Sequence, residues 1–277
     1  MDWPDLLQII EKLRSPQGCP WDRKQTHQSL KRYLLEESYE LFEAIDRNNP
    51  NAIVDELGDV LLQILLHAQI GKETQAFTID DVIQNLAEKL IRRHPHVFAH
   101  KEAATPEEVA VHWDDIKKTE KAAARRTSVL DGVPREFPAL MRAEKIQRKA
   151  AKVGFDWSRT EDVAAKIEEE LAEVQEALSQ GRKEKTEEEL GDLLFAAVNL
   201  ARFQEIDPEF ALQKATAKFS ERFRFIEQYS KEKGLVLEEM TLGEMNAIWD
   251  QAKAQLSAMQ EAPGLKKTSQ TGSNQGD

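Results

Sequence analysis

"DELGDVLLQILLHAQ", residues 55–69, sets Glu56 and Asp59 three residues apart at the head of an otherwise apolar stretch. In a 3.6-residue helix this spacing holds the two carboxylates about 60° apart on one face. Ile53, Val54, Leu57, Val60, Leu61, Leu62, Ile64, Leu65 and Leu66 cover nearly the whole circumference, which predicts a central helix. Acids on a buried helix cost several kcal/mol each unless something compensates them.

The stretch occurs twice. "EELGDLLFAAVNLAR" (188–202) repeats it, and the preceding "YLLEESYELFEAI" (33–45) is matched by "KIEEELAEVQEAL" (166–178). Glu37 and Glu170, Glu40 and Glu173, Glu56 and Glu189, Asp59 and Asp192 are all separated by 133 residues. One offset across both blocks requires the connection between them to have the same length in each half. Weaker echoes follow at shifting offsets: "CPWD" (19–22) with "GFDW" (154–157), "EKLIRRH" (88–94) with "AKFSERF" (217–223), "HWDDIKK" (112–118) with "IWDQAKA" (248–254). Two copies of such length indicate a domain duplication and not a solenoid.

Helical spacing predicts helices over 30–46, 52–70, 78–94 and 105–124, with Gly71 as a C-cap, Thr78 or Asp80 as an N-cap and Pro106 at a first turn. In the second half, helices are expected from near Thr186 and near Pro208. Period-2 alternation is missing. The fold class expected is therefore all-α, two tandem four-helix-bundle-like domains from an internal duplication. Their expected extents are 1–124 and 139–261, joined by a linker at 125–138 rich in turn residues and followed by a disordered tail at 262–277.

Composition narrows the function classes. A formal charge of −12 argues against general nucleic-acid binding. Local basic clusters could still hold a phosphorylated small molecule. Cys19 is the only cysteine, so no intrachain disulfide forms, which fits a reducing compartment. The N-terminus lacks the basic start of a signal peptide, and no apolar run is long enough to span a bilayer, so a cytoplasmic protein without membrane association is expected.

Glu36, Glu37 and Glu40 lie on a helix joined by a short loop to the one carrying Glu56 and Asp59, so four or five carboxylates can converge. A hard divalent cation supplies the missing charge, and all-oxygen ligands select Mg²⁺, Mn²⁺ or Ca²⁺ over zinc. Gly58 and Gly191 weaken their helices by about 1 kcal/mol against alanine. Close helix approach or ligand access would explain them. A solvated acidic face is the bland alternative for a single such motif, and duplication in one register on an apolar helix argues against it. A di-iron bundle would need Glu-x-x-His pairs, and none of the six histidines has Glu three residues before it. His67 is expected to be a packed core residue.

EExxE followed by ExxD on antiparallel helices resembles the MazG family of all-α nucleoside triphosphate pyrophosphohydrolases. The resemblance runs through "GCPWDRKQTHQSL", "LLEESYE", "ELGDVLLQ", "RRHPHVF", "PALMRAEKIQRKAAKVGFDW", "EEELGDLLFAAVNLAR" and "KFSERFR". It implies Mg²⁺-dependent hydrolysis, with Mn²⁺ as a substitute, of nucleoside triphosphates to monophosphate and pyrophosphate. Broad base tolerance, a homodimer or higher homo-oligomer, and a role in nucleotide-pool cleansing or stress physiology are implied with it.

The resemblance also implies that the C-terminal copy is the main catalytic one, its metal held by Glu170, Glu173, Glu189 and Asp192. Lys166, Glu169, Glu170, Lys185, Glu188 and Asp192 then border the nucleotide, Lys218 and Arg222 contact phosphates, and Trp249 sits near the base or sugar. Glu169 or Glu188, not fully used by metal, could take the proton of an attacking water. Trp21, Trp113, Trp157 and Trp249 are read either as packing or as base-stacking groups, with Phe155 and Trp157 as candidates to flank the base. Asn199 could read a base or sugar, and Leu66 in the first copy could not. That copy keeps Glu36, Glu37, Glu40, Glu56 and Asp59 as a second metal site, with Lys89 and Arg93 downstream. A metal- and nucleotide-binding helical sensor or interaction module without turnover is the alternative.

Overall fold

The computed structural model describes residues 1–99, 105, 108, 109, 112, 113, 116 and 127–261, the side chains of 256–261 excepted. The chain divides into two compact units, Met1–Arg125 and Arg126–Asp277. Among the described residues both are helical without strands, as expected from the sequence.

The first unit contains α1 (Trp3–Arg14), α2 (Pro20–Lys24), α3 (His27–Asp46), α4 (Pro50–Glu73), α5 (Ile79–Arg93) and the short α6 (Pro95–Phe98). Capping boxes at Asp2/Asp5, Thr26/Ser29 and Thr78/Asp81 start α1, α3 and α5 by satisfying otherwise unpaired N–H groups. Asn49 caps α4, with Pro50 in its first turn. The core joins Ile10 of α1, Leu30 of α3 and Leu65, Leu66 and Ile70 of α4.

The second unit contains α7 (Ala139–Ala151), α8 (Thr160–Ser179), α9 (Lys183–Phe203), α10 (Pro208–Lys233) and α11 (Leu242–Glu261). Its buried apolar residues come from all but α7: Val163, Val174 and Ala177 on α8, Ala196 and Val198 on α9, Ile226 on α10, and Ile248 and Ala252 on α11. Helices α1 and α7, and the short α2 and α6, are additional to those expected. The helix expected at 105–124 lies largely outside the described residues, as does the tail at 262–277.

The constant offset has a local cause. Asn48 stands in the middle of the three-residue α3–α4 link with φ of 49°, and Gly181, 133 residues later, does the same between α8 and α9 with φ of 64°. This left-handed residue reverses the chain in three residues and lays each helix pair antiparallel.

Two expectations are corrected. Gly71 does not cap α4, which runs on to Glu73; a Cβ there would lie 2.8 Å from the Phe77 ring, so the glycine permits close packing. Nor is α4 buried all round, since Val54, Leu57 and Ile64 are 68%, 51% and 41% exposed. Helix α4 is central on one face only.

Candidate functional site

In the second unit, α8 and α9 bring carboxylate oxygens of Glu170, Glu173 and Glu189 within 4.8 Å of one another. Glu170 and Glu189 are buried and Glu173 is exposed. Two lysines lie among them, each on the same helix as its partners. Lys166 Nζ approaches Glu169 at 2.8 Å and Glu170 at 2.7 Å, and Lys185 Nζ approaches Glu188 at 3.2 Å and Glu189 at 2.6 Å. The (i, i+3) and (i, i+4) spacings of the helix produce this comb of alternating charge.

The electrostatics follow the contacts. Hydrogen bonding to Lys185 pulls the Glu189 carboxyl below its ordinary value, against the opposing effect of burial. Glu173 is pushed up, first by its hydrogen bond to Glu189 and then by that neighbour's charge. One pair of carboxylates is thus split into a charged member and one that resists ionising. Such a site is short of positive charge even with both lysines in place.

Asp192, exposed one turn beyond Glu189, stands outside the converged set. Glu169 and Glu188 keep their side chains in solvent, 57% and 62% exposed. Lys218, exposed, and Arg222 are on α10, and the lysines against the carboxylates are Lys166 and Lys185 instead. Arg222 lies over the Trp249 ring, 5.5 Å from its centre, and Phe219 packs on the same ring at 5.1 Å. The first copy repeats this pairing, with Arg93 over Trp113 at 5.2 Å.

In the first unit, Glu37, Glu56 and Asp59 converge within 4.8 Å, while Glu40 is exposed outside that set. Glu36 pairs with Arg32 at 2.6 Å. Desolvation, then the surrounding acids, raises both Glu37 and Glu56, and Glu56 Oε2 is buried without a hydrogen-bond partner. The register explains the difference between the copies: 133 residues before Lys166 and Lys185 stand Tyr33 and Ala52. That contrast was available in the sequence, in the offset that aligned the acids.

Further along α9, Asn199, named from the sequence, is joined by Arg202 and Asp156, which were not. Arg202, 8% exposed in its side chain, donates to Asp156 Oδ2 at 3.0 Å and to Asn199 Oδ1 at 3.0 and 2.8 Å. The "GFDW" turn that carries Asp156 is shaped by Gly154, whose φ of 90° lets Phe155 N–H donate back to Ala150 O at 3.1 Å. His67 stacks on His27 with ring centres 5.0 Å apart and is half-buried, in keeping with a packing role.

Residues 25–98 and 159–225 each match the model of the MazG nucleotide pyrophosphohydrolase domain. Each matched region contains one of the acidic helix pairs. This chain belongs to the MazG family. It is 53% identical to the nucleoside triphosphate pyrophosphohydrolase/pyrophosphatase MazG of Thermotoga maritima over 90% of this chain and 94% of that one. It is 45% identical to the nucleoside triphosphate pyrophosphohydrolase of Escherichia coli K12 over 90% and 96%. A crystal structure of a MazG-related protein from Thermotoga maritima covers 42% of this chain and 99% of its own, at 33% identity and a TM-score of 0.37. Two MazG domains in one chain fit the duplication legible in the acidic repeats.

Proposed function

We propose that this chain hydrolyses nucleoside triphosphates to nucleoside monophosphate and pyrophosphate in its C-terminal copy. The observation that carries the proposal is the meeting of Glu170, Glu173 and Glu189 with Lys166 and Lys185 on two antiparallel helices. The names of the Thermotoga and Escherichia relatives support the reaction.

The donor set suits a hard divalent cation: oxygens only, two of the three residues buried, and one carboxyl pushed up by its neighbour. Glu170, Glu173 and Glu189 would hold Mg²⁺, or Mn²⁺ in its place, with Asp192 as a further ligand. When bound, the ion supplies charge to phosphate oxygens and acidifies a water. Lys166 and Lys185, turned from the carboxylates, neutralise the triphosphate as charge moves onto it. Glu169 or Glu188, both facing solvent, accepts the proton of the attacking water. Lys218, Arg222 and Trp249 belong to the outer part of the nucleotide site. The first copy keeps the acids and lacks both lysines, which supports the second as the working one.

The active unit in this reading is a homodimer or larger homo-oligomer. Leu171, Leu178, Leu190 and Leu194, 45–61% exposed on α8 and α9, are apolar surface that supports this reading. Among the described residues no helix is long and apolar enough to cross a membrane. Broad base tolerance and a role in nucleotide-pool cleansing complete the proposal.

Pyrophosphate release from a panel of NTPs and dNTPs with Mg²⁺ tests it, using wild type, Glu173→Ala and Glu40→Ala. Release by wild type and Glu40→Ala but not by Glu173→Ala is expected. No product from wild type leaves a binding module without turnover, and loss in Glu40→Ala alone moves the site to the first copy.

A further inference from the structure

In the first unit, α1, the end of α4 and the start of α5 line a cavity of about 200 Å³. Leu7, Ile10, Leu65 and Ile79 give it an apolar floor, while Glu11, Lys72 and Asp80 stand exposed at its mouth. We propose that this cavity binds a free aliphatic α-amino acid, its side chain on the apolar floor and its two charged groups at the mouth.

The mouth carries both signs. Lys72 Nζ on α4 lies 3.1 Å from Glu11 Oε2 on α1, and the two side chains are 52% and 56% exposed. An exposed pair of this kind is weak in water and exchanges partners readily. Asp81 is spent on the cap of α5 through Thr78, and Asp80 beside it adds a second carboxylate to the mouth. Two carboxylates can share the three N–H donors of an ammonium group, and Lys72 can take a carboxylate in turn. A ligand carrying both groups leaves no charge unpaired. A simple anion meets two acids for one lysine, and a simple amine takes Glu11 from Lys72 without returning a partner.

The floor sets the rest of the ligand. Ile10, Leu65 and Ala68 are 2–4% exposed, so the hollow reaches the core of the unit. Drug-sized molecules fill about 300–1,000 Å³, and the smaller space here suits a ligand of amino-acid size. Among the described residues no aromatic side chain lines it, which favours a short branched chain over a stacked ring.

The first copy builds this cavity by departing from the repeat. Helix α4 runs to Glu73, whereas α9 stops at Phe203, the counterpart of Ile70 at the offset of 133. Lys72 stands on the added residues. Gly71, also among them, lets the Phe77 ring pack against the helix and so brings Thr78 and Asp80 up to α4. In the second copy Glu11 is matched by Glu144, 8% exposed and held by Arg148 at 2.5 Å on its own helix. Gln69, another lining residue, is matched by Arg202, which is bound to Asp156. The position of Lys72 falls on Glu205, so that copy has no cation there to receive a carboxylate.

Isothermal titration of leucine, isoleucine and valine into the full-length chain tests the site. Two leucine analogues are run alongside, isoamylamine without the carboxylate and isocaproate without the ammonium group. At least one of the three amino acids is expected to bind, and leucine more tightly than either analogue by about ten-fold or more. Lys72→Met and Glu11→Gln should each weaken amino-acid binding by about ten-fold. Both side chains are half exposed and their pair adds little to stability, so the variants keep the fold. No binding of any amino acid at about 10 mM overturns the assignment, as does an analogue that matches leucine or an unchanged affinity in both variants. Binding is read without turnover, so the outcome does not depend on the reaction assigned to the second copy.

Discussion

Lys185 Nζ lies 2.6 Å from Glu189 Oε1, one helical turn away on α9. The lysine therefore occupies a position that a cation at Glu189 must share or take over. Lys185→Met should tighten Mg²⁺ binding, measured calorimetrically, because a competitor is removed. The same change should lower kcat/KM by about ten- to 100-fold, because a phosphate partner is lost. Weaker metal binding in the variant would refute the competition.

Glu189→Gln keeps the size of the side chain and removes its charge. Pyrophosphate release is expected to fall by about 100-fold or more, whereas Glu56→Gln, its counterpart in the first copy, should leave most of the rate. Equal losses would make both copies catalytic.

The three glycines of the repeat helices predict opposite outcomes. Gly71→Ala drives a methyl group to within 2.8 Å of Phe77 and should cost about 1–3 kcal/mol in denaturant unfolding. Among the described residues a Cβ at Gly58 or Gly191 meets nothing within 4 Å, so close approach of the described helices does not explain them. Gly191→Ala should therefore raise stability by up to about 1 kcal/mol. A loss of activity in that more stable variant would show that the open space belongs to a ligand or a second copy.

Burial, reinforced by the neighbouring His27, pulls His67 below its ordinary value of 6.5. The folded state thus binds fewer protons here than the unfolded one, and stability falls as pH drops below about 6.5 until the lowered folded value is passed. The Nδ1 atoms of His27 and His67 lie 2.7 Å apart, a hydrogen bond that two imidazolium rings cannot make. Thermal melts between pH 8 and about pH 5 should show a drop in wild type that His67→Phe flattens.

Asp156→Asn leaves the buried Arg202 charge without its counter-ion and should cost about 3 kcal/mol, read from denaturant midpoints. Asp156 itself is held below its usual 3.8 by Arg202, so the wild-type contribution is present at neutral pH and is lost only as pH falls below that range.

The helix pairs were legible because apolar period and acid spacing agree twice, and the equal links through Asn48 and Gly181 keep the register. What escaped the sequence depends on distances between elements. The periodicity of α4 marks a face that could be buried, and only packing shows that Val54 and Leu57 stay exposed. The acids were legible as a group, yet the converged triads differ between copies. The triads share the aligned pairs Glu37/Glu170 and Glu56/Glu189 and differ in the third member, Asp59 in one copy and Glu173 in the other, although both positions are acidic in both copies. The pocket beside Arg202 draws Gln147 from α7 and Asp156 from the "GFDW" turn, where the repeat slips to an offset of 136 between Gly18 and Gly154.

Leu66 and Asn199 share a register, yet one completes a core and the other borders a void. The two halves are therefore exposed to different kinds of damage. A substitution at Leu66 lowers the fraction folded and so the amount of protein a cell retains, while each surviving molecule turns over as before. A substitution at Asn199 takes an acceptor from the buried Arg202 guanidinium, so damage enters the second half through a lost polar partner and not through lost packing.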